Sequence, residues 1–265
     1  MSLIVAVLVV WCLQPVRAQV GDVSDKVLLA VFAHPDDEST VAPVLARYAR
    51  EGANVVLVTA TDGRLGTNEY SDLPAGDELA AVRRGEMECA ASALGVELIH
   101  LDYYDQFNSQ EGYDGFMPQL QGVIRDIHRI IEERTPDAIV TFGPDGFSNH
   151  MDHRLVGSSV TQALVSTEWE TTPALYFVGM PASQFSDEER ILRGVQEKYL
   201  TVRVPYTDED GRAAIESLRC HTSQFPPDFV ERRAAREAET ENLIYFRPFT
   251  APTGQSGDLF APPSP

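Results

Sequence analysis

Val27-Leu28-Leu29-Ala30-Val31-Phe32 is an apolar run of strand length that leads without a break into Ala33-His34-Pro35-Asp36-Asp37-Glu38. A run with no polar alternation suits a strand buried on both faces, the condition of strands in a parallel sheet covered by helices. Comparable runs recur at 54–60, 96–102, 137–142 and 174–179, and a last strand is expected at 242–249. Between them lie stretches with helical character at 39–51, 77–94, 117–134, 150–165, 186–198, 208–220 and 231–239. In the third of these, Leu120, Ile124, Ile127 and Ile131 fall at helical spacing. Strands alternating with helices predict an α/β, Rossmann-like fold: a mainly parallel sheet with helices on both faces. There is no internal repeat and no composition shift that marks a boundary, so residues 19–249 are expected to form one domain. The Pro-, Gly- and Ser-rich stretch 250–265 reads as a disordered tail.

Composition narrows the function classes. The 265 residues carry a formal net charge of −19 and only two lysines, Lys26 and Lys198. Such a chain has no electrostatic reason to bind nucleic acid or anionic lipid. Leu3 to Leu13 is an apolar run too short to span a bilayer comfortably, and Val16-Arg17-Ala18 offers small residues where a signal peptidase reads. Residues 1–18 are therefore expected to be a signal peptide and the protein to be exported, with a retained membrane anchor as the alternative. Of the cysteines, Cys12 leaves with that segment. Cys89 and Cys220 lie in helix-like stretches and make no framework, so buried thiols are expected, a single bridge being the alternative in an oxidising compartment.

The chemistry-bearing residues sit where an open α/β sheet does its work, beyond the carboxyl ends of strands. One imidazole and three carboxylates follow the first strand. After the fourth strand and a Gly/Pro loop comes His150-Met151-Asp152-His153 at a helix start, where residues three apart can face one way. In a doubly wound sheet these two strands can be neighbours at the switch point. Two neutral imidazoles and one carboxylate suit a catalytic Zn2+ with one position left to water. On sequence alone Asp36 and Asp37 are equal candidates for that carboxylate. The Gly-x-Gly-x-x-Gly signature of dinucleotide binding is absent after the first strand, which argues against a dehydrogenase.

These motifs resemble the PIG-L/LmbE-like de-N-acetylases, whose hallmark is a (Pro/Ala)-His-Pro-Asp-Asp-Glu turn followed by a His-x-x-His segment. Ala33 to Glu38 and His150 to His153 match them, with Thr61-Asp62-Gly63, Arg83 to Glu86, Leu94-Gly95, Asp105 and His221-Thr222-Ser223-Gln224 in support. The resemblance covers residues 27 to 225. It implies a Rossmann-like fold and zinc-dependent removal of acetyl groups from N-acetylglucosamine-type amines. It also implies His34, Asp37 and His153 as metal ligands and Asp36 as general base. His150 would be the charged group beside the leaving amine, oriented by Asp152. Met151 stands where the family commonly has proline, and Phe147-Ser148-Asn149 lacks a tyrosine that some relatives carry.

Other residues keep two readings. Arg64 and Asp105, on loops at the same sheet end, could bind sugar hydroxyls or be ordinary loop charges. His221 could line the pocket or cap its helix. Glu38 could support a metal ligand or serve as a first-turn acid. Tyr103, Tyr104 and Phe107 could stack on a sugar or pack. His100 and His128 read as structural or surface. The leading expectation is an exported zinc hydrolase acting on an N-acetylated amino sugar or glycoconjugate. The alternatives are a zinc amidohydrolase of another small acylated amine and a non-catalytic carbohydrate-binding module.

Overall fold

The computed structural model describes residues 22–237, 241–250 and 254–260; the expected signal peptide, residues 1–18, lies outside them. In chain order the elements are β1 (Val27–Phe32), α1 (Ala42–Arg50), β2 (Asn54–Thr61), α2 (Asp77–Leu94), β3 (Glu97–Tyr103), α3 (Gly112–Arg134), β4 (Ala138–Phe142) and α4 (Gly146–Asn149). They continue as α5 (Met151–Val165), β5 (Ala174–Pro181), α6 (Asp187–Arg193), β6 (Gly194–Val195), β7 (Val202–Pro205), α7 (Asp208–Cys220), α8 (Pro227–Glu237) and β8 (Leu243–Pro248).

The strand order is β3-β2-β1-β4-β5-β8-β7, with β6 attached to β5. Strands β1 to β5 are parallel, while β8 runs antiparallel to both its neighbours. The unbroken apolar runs are explained by the two faces they serve. Leu28, Ala30 and Phe32 point to one side and pack with Val44, Leu45 and Tyr48 of α1 and Met87 of α2. Leu29 and Val31 point to the other side and pack with Val123 and Ile127 of α3 and Val156 and Val160 of α5. Both faces are covered, so neither set of alternate residues needs to be polar. Growth from β1 runs outward through β2 and β3, then returns to β4 on the opposite side. The ends of β1 and β4 therefore flank the crevice where the sheet changes direction.

Several boundaries differ from the expected ones for local reasons. The helix expected over 39–51 is broken: Asp37–Thr40 forms a 3-10 turn, and Val41 at φ −130° separates it from α1. Residues 105–111, before α3, form a tight coil in which Gln106, Phe107 and Asn108 take left-handed φ of 57°, 50° and 55°. The helix expected over 186–198 stops at Arg193, because the chain turns at Gly194, where a Cβ would meet Ala182 Cα and the Arg190 carbonyl oxygen at 3.0 Å. Helix α8 begins at Pro227, earlier than expected, with proline in its first turn, where its missing N–H costs nothing.

Two expectations are corrected outright. Cys89 of α2 and Cys220 of α7 form a disulfide, with Cα atoms 5.7 Å apart, and Cys89 is exposed rather than buried. Residues 254–260 are not a free tail. Leu259 is 1% exposed, its N–H donates to the Tyr48 hydroxyl at 2.9 Å, and its carbonyl accepts from the Tyr176 hydroxyl at 3.0 Å. Composition marks this stretch as unstructured, but one leucine and one aromatic, Phe260, find a slot beside α1 that composition does not reveal.

Leu259→Ala is expected to lower unfolding free energy by about 2–4 kcal/mol, as a buried leucine truncation does, whereas a change in a free tail stays within about 0.5 kcal/mol. Urea denaturation measures it. Cys220→Ser is expected to cost about 2–5 kcal/mol in the same assay, because the bridge closes a long loop in the unfolded chain.

Candidate active site and metal centre

The turn after β1 folds around one carboxylate. The backbone N–H groups of Ala33 and His34 both donate to Asp37 Oδ2, at 3.1 and 2.8 Å. The end of β2 steadies the same turn, with Thr61 donating through its N–H and its hydroxyl to the Ala33 carbonyl at 2.8 and 2.9 Å. Asp36 sits between these anchors at φ +102°, in the left-handed region that few non-glycine residues occupy. Its N–H donates to Glu38 Oε2 at 3.1 Å, and its carboxylate accepts from Arg83 Nη2 at 3.0 Å. Arg83, 3% exposed, also donates to the carbonyls of Gly63 and Pro35, so one guanidinium ties the β2 loop to this turn.

The other half of the cluster comes from the β4 end. Gly157 lets α5 close onto it: a Cβ there would lie 2.1 Å from the Phe142 carbonyl oxygen. That close approach sets His153 against the sheet, its ring stacked on Phe142 at a centroid distance of 4.3 Å. The Gly146 carbonyl lies 2.9 Å from His153 Nδ1 and can only accept, so that nitrogen carries the proton. Nε2 faces Asp37 Oδ1 at 3.0 Å. His34 Nε2 meets Asp152 Oδ2 at 3.1 Å and Asp105 Oδ1 at 3.4 Å, and its Nδ1 lies 3.4 Å from Asp37 Oδ2. Donor atoms of His34, His150 and His153 lie within 4.8 Å of one another.

The electrostatics of this cluster call for positive charge. Burial disfavours charge on His34, yet Asp37, Asp105 and Asp152 outweigh it and hold its pKa well above the ordinary value. Burial likewise opposes the Asp37 carboxylate, but His153 and His34 bring its pKa below the usual range. Asp105, against burial, is drawn down to about 2 by its contact with His34. Asp36 moves the opposite way: burial pushes it up to about 6, with Arg83 opposing. Several carboxylates around one imidazole fit a divalent cation; His34, His150 and His153, and separately His34, Asp105 and Asp152, each bring donor atoms within 4.8 Å of one another.

All six residues expected in metal binding or catalysis gather here, but roles shift within the group. The Asp152 carboxylate faces His34 and accepts from the Gln106 N–H at 2.9 Å; what it offers His150 is its backbone N–H, 3.2 Å from Nδ1. The reason is position: His150 caps α5, so its ring collects a first-turn amide while the Asp152 side chain turns inward. Asp105 is buried against His34, with Oδ2 accepting from the Leu65 N–H at 3.0 Å. Arg64 is engaged by Asp62 at 2.7 Å and Asp77 at 2.8 Å and lies over the Tyr104 ring. His221 is fully buried and bonds Glu38 Oε1 at 2.7 Å, behind the turn and away from solvent.

Arg83 and Glu86 acquire roles that their place in a helical stretch did not show. Glu86 accepts from the Ser223 N–H and hydroxyl at 2.6 and 2.7 Å and from Thr222 at 2.8 Å, which fixes the segment after α7 against α2. Their burial on an otherwise charged helix is the signal, and burial is a tertiary fact. A cleft of about 820 Å³ opens on Asp36, Asp37 and His153.

The family model described as GlcNAc-PI de-N-acetylase (PIG-L) matches residues 29–164, half of the chain. A 1D-myo-inositol 2-acetamido-2-deoxy-alpha-D-glucopyranoside deacetylase of Mycobacterium sp. (strain KMS) is 30% identical over 230 residues, covering 74% of this chain and 73% of that protein. Among solved structures, the N,N'-diacetylchitobiose deacetylase from Pyrococcus horikoshii superposes with a TM-score of 0.64 at 22% identity, covering 84% of each chain. The 4-carboxy-2-hydroxymuconate hydratase from Pseudomonas putida KT2440 superposes with a TM-score of 0.63 at 14% identity, covering 87% of this chain and 98% of that one. At such identities the structural likeness establishes the fold, and that fold carries more than one chemistry. The motif-bearing half matched by the family model, together with the extent of the curated relative, decides the rest: the chain belongs to the PIG-L family of de-N-acetylases.

Proposed function

We propose that the chain hydrolyses the acetamido group of an N-acetylated amino sugar or glycoconjugate, with Zn2+ held by His34, Asp37 and His153. The observation that carries this reading is the convergence of Asp37 and His153 with Asp36 on one cleft, with His34 in contact with Asp37. Asp37 meets the two imidazoles through different oxygens, Oδ1 at 3.0 Å from His153 Nε2 and Oδ2 at 3.4 Å from His34 Nδ1. Bound zinc supplies a Lewis acid that polarises the amide carbonyl and acidifies water beside it.

The chain's own groups do the proton work. Asp36 is the base: it borders the cleft, Arg83 fixes its carboxylate, and burial brings its pKa close to working pH. His150 accepts a backbone N–H at Nδ1, so its neutral ring carries the proton on Nε2 and can donate to a developing oxyanion. Burial and positive charge at His34 both lower its pKa, and a cation in that place acts with the same sign. Asp152 and Gly146 hold His34 and His153 with their other ring nitrogens toward Asp37. Export is part of the proposal. It is supported by the apolar leader and by the Cys89–Cys220 bridge, which suits an oxidising compartment. Intact mass of the native protein should place its N-terminus at about Gln19.

His153→Ala is expected to lower zinc content, read by elemental analysis, together with activity. His150→Ala should retain zinc and lose about 10²–10⁴-fold in kcat for acetate release from an N-acetyl sugar. Zinc lost in His150→Ala and kept in His153→Ala would reverse the assignment; no acetate from any N-acetylated amine would defeat the reading.

Asp36→Asn should keep the metal and lose rate on the same scale. As a base Asp36 works ionised, so activity falls as pH drops through its pKa. That pKa is about 6 without the metal, and a neighbouring cation lowers it further. The acid limb of kcat/KM is therefore expected at or below about pH 6; a limb above pH 7 would point to another base.

A further inference from the structure

Behind the turn that carries Asp36 and Asp37, two side chains from distant parts of the chain are sealed from solvent together. Glu38 and His221 are both 0% exposed, and His221 Nε2 lies 2.7 Å from Glu38 Oε1. The other carboxylate oxygen, Oε2, accepts from the Asp36 N–H at 3.1 Å. A buried carboxylate is costly unless donors satisfy it. Oε1 has its close donor in His221, since the Ser217 hydroxyl reaches it only at 3.4 Å. Facing an acceptor, the ring Nε2 carries a proton. One line of hydrogen bonds thus runs from His221 through Glu38 to the backbone of Asp36.

Neither role read from the sequence accounts for this histidine. Its ring does not cap α7; the last turn is closed by the backbone N–H, which donates to the Leu218 carbonyl at 3.2 Å. It does not line the pocket, because it is fully buried, while Leu218 and Phe225, before and after it in the chain, border the cleft. Its Nδ1 is buried with no hydrogen-bonding partner among the described residues, a cost that packing alone does not explain. What the ring supplies is a single donor aimed at Glu38.

The effect of that donor falls on Asp36. Its φ of +102° lies where few non-glycine residues settle, and it has two anchors: the Glu38 carboxylate on its N–H and Arg83 on its side chain. Without His221, Glu38 is free to turn toward another donor, and the Asp36 N–H loses its acceptor. Asp37 is held separately, by the N–H groups of Ala33 and His34. Support for the base and support for the metal ligand therefore run through different hydrogen bonds.

We propose that His221 is a positioning residue for the hydrolysis, acting through Glu38 to hold Asp36 in the orientation its work as base requires; this rests on the deacetylase reading above. Loss of the donor slows the chemical step and leaves metal and substrate affinity in place.

The test compares the zinc-loaded full chain with His221→Leu, His221→Asn and His221→Gln, following acetate release from N-acetylglucosamine and N,N'-diacetylchitobiose and zinc by elemental analysis. Leucine fills the site without a donor, asparagine holds its amide short of Glu38, and glutamine brings an N–H close to the place of Nε2. His221→Leu and His221→Asn are expected to lose about 10–100-fold in kcat with zinc content and KM little changed, and His221→Gln to recover most of that loss. Should His221→Leu fail to fold, His221→Asn and His221→Gln decide alone. Equal kcat in those two, a loss confined to KM, or zinc lost together with rate would overturn the inference and leave the deacetylase reading in place. Acetate from neither sugar with the unaltered protein would overturn both.

Discussion

Two backbone amides on one carboxylate hold the active end of this molecule together. The N–H groups of Ala33 and His34 fix Asp37 Oδ2, which leaves Oδ1 aimed at His153 across the gap between β1 and β4. Everything else in the cluster depends on that aim. His34 is placed by the same turn and then seized from behind by Asp152 and Asp105. Asp36 is forced into a left-handed conformation by its neighbours on either side, with Arg83 closing the turn from α2. Groups with negative charge are gathered at low exposure, an arrangement that is costly unless a cation shares the space.

Polar layers behind this turn keep it from relaxing. Glu38 is fully buried and spans two segments, accepting from the Asp36 N–H on one oxygen and from His221 and Ser217 on the other. Glu86 does the same for Thr222 and Ser223 one turn of α2 from Cys89, whose bridge to Cys220 joins the same two helices. The segment after α7 is thus held by hydrogen bonds from inside and by a covalent link at the surface. The α7–α8 hairpin that borders the cleft is carried on this fixed support.

The sheet was legible in the sequence because burial on both faces removes polar residues from a strand altogether. The β1 and β4 runs could be read in that way, and with them the crevice that collects His34, Asp37 and His153. What escaped was side-chain direction. Asp152 and His150 are neighbours in sequence, but the helix cap sends one ring to a backbone amide and the other side chain inward to His34. His221 follows a helix and reads as a capping or pocket residue, yet its partner Glu38 lies 183 positions away. The Cys89–Cys220 pair, 131 positions apart, is invisible until α2 and α7 are packed side by side. Spacing along the chain reports faces of elements; it does not report which elements meet.

The ordered stretch near the C-terminus also has a colloidal consequence. Strand β7 closes one side of the sheet, and such a strand presents unpaired amides and carbonyls that invite strands from other molecules. Here the Arg203 N–H donates to the Ser256 carbonyl at 2.8 Å and the Ser256 N–H to the Thr201 carbonyl at 3.0 Å. The segment around Ser256 occupies part of the template on which intermolecular sheet growth would begin, and its neighbours Leu259 and Phe260 fill a slot beside α1.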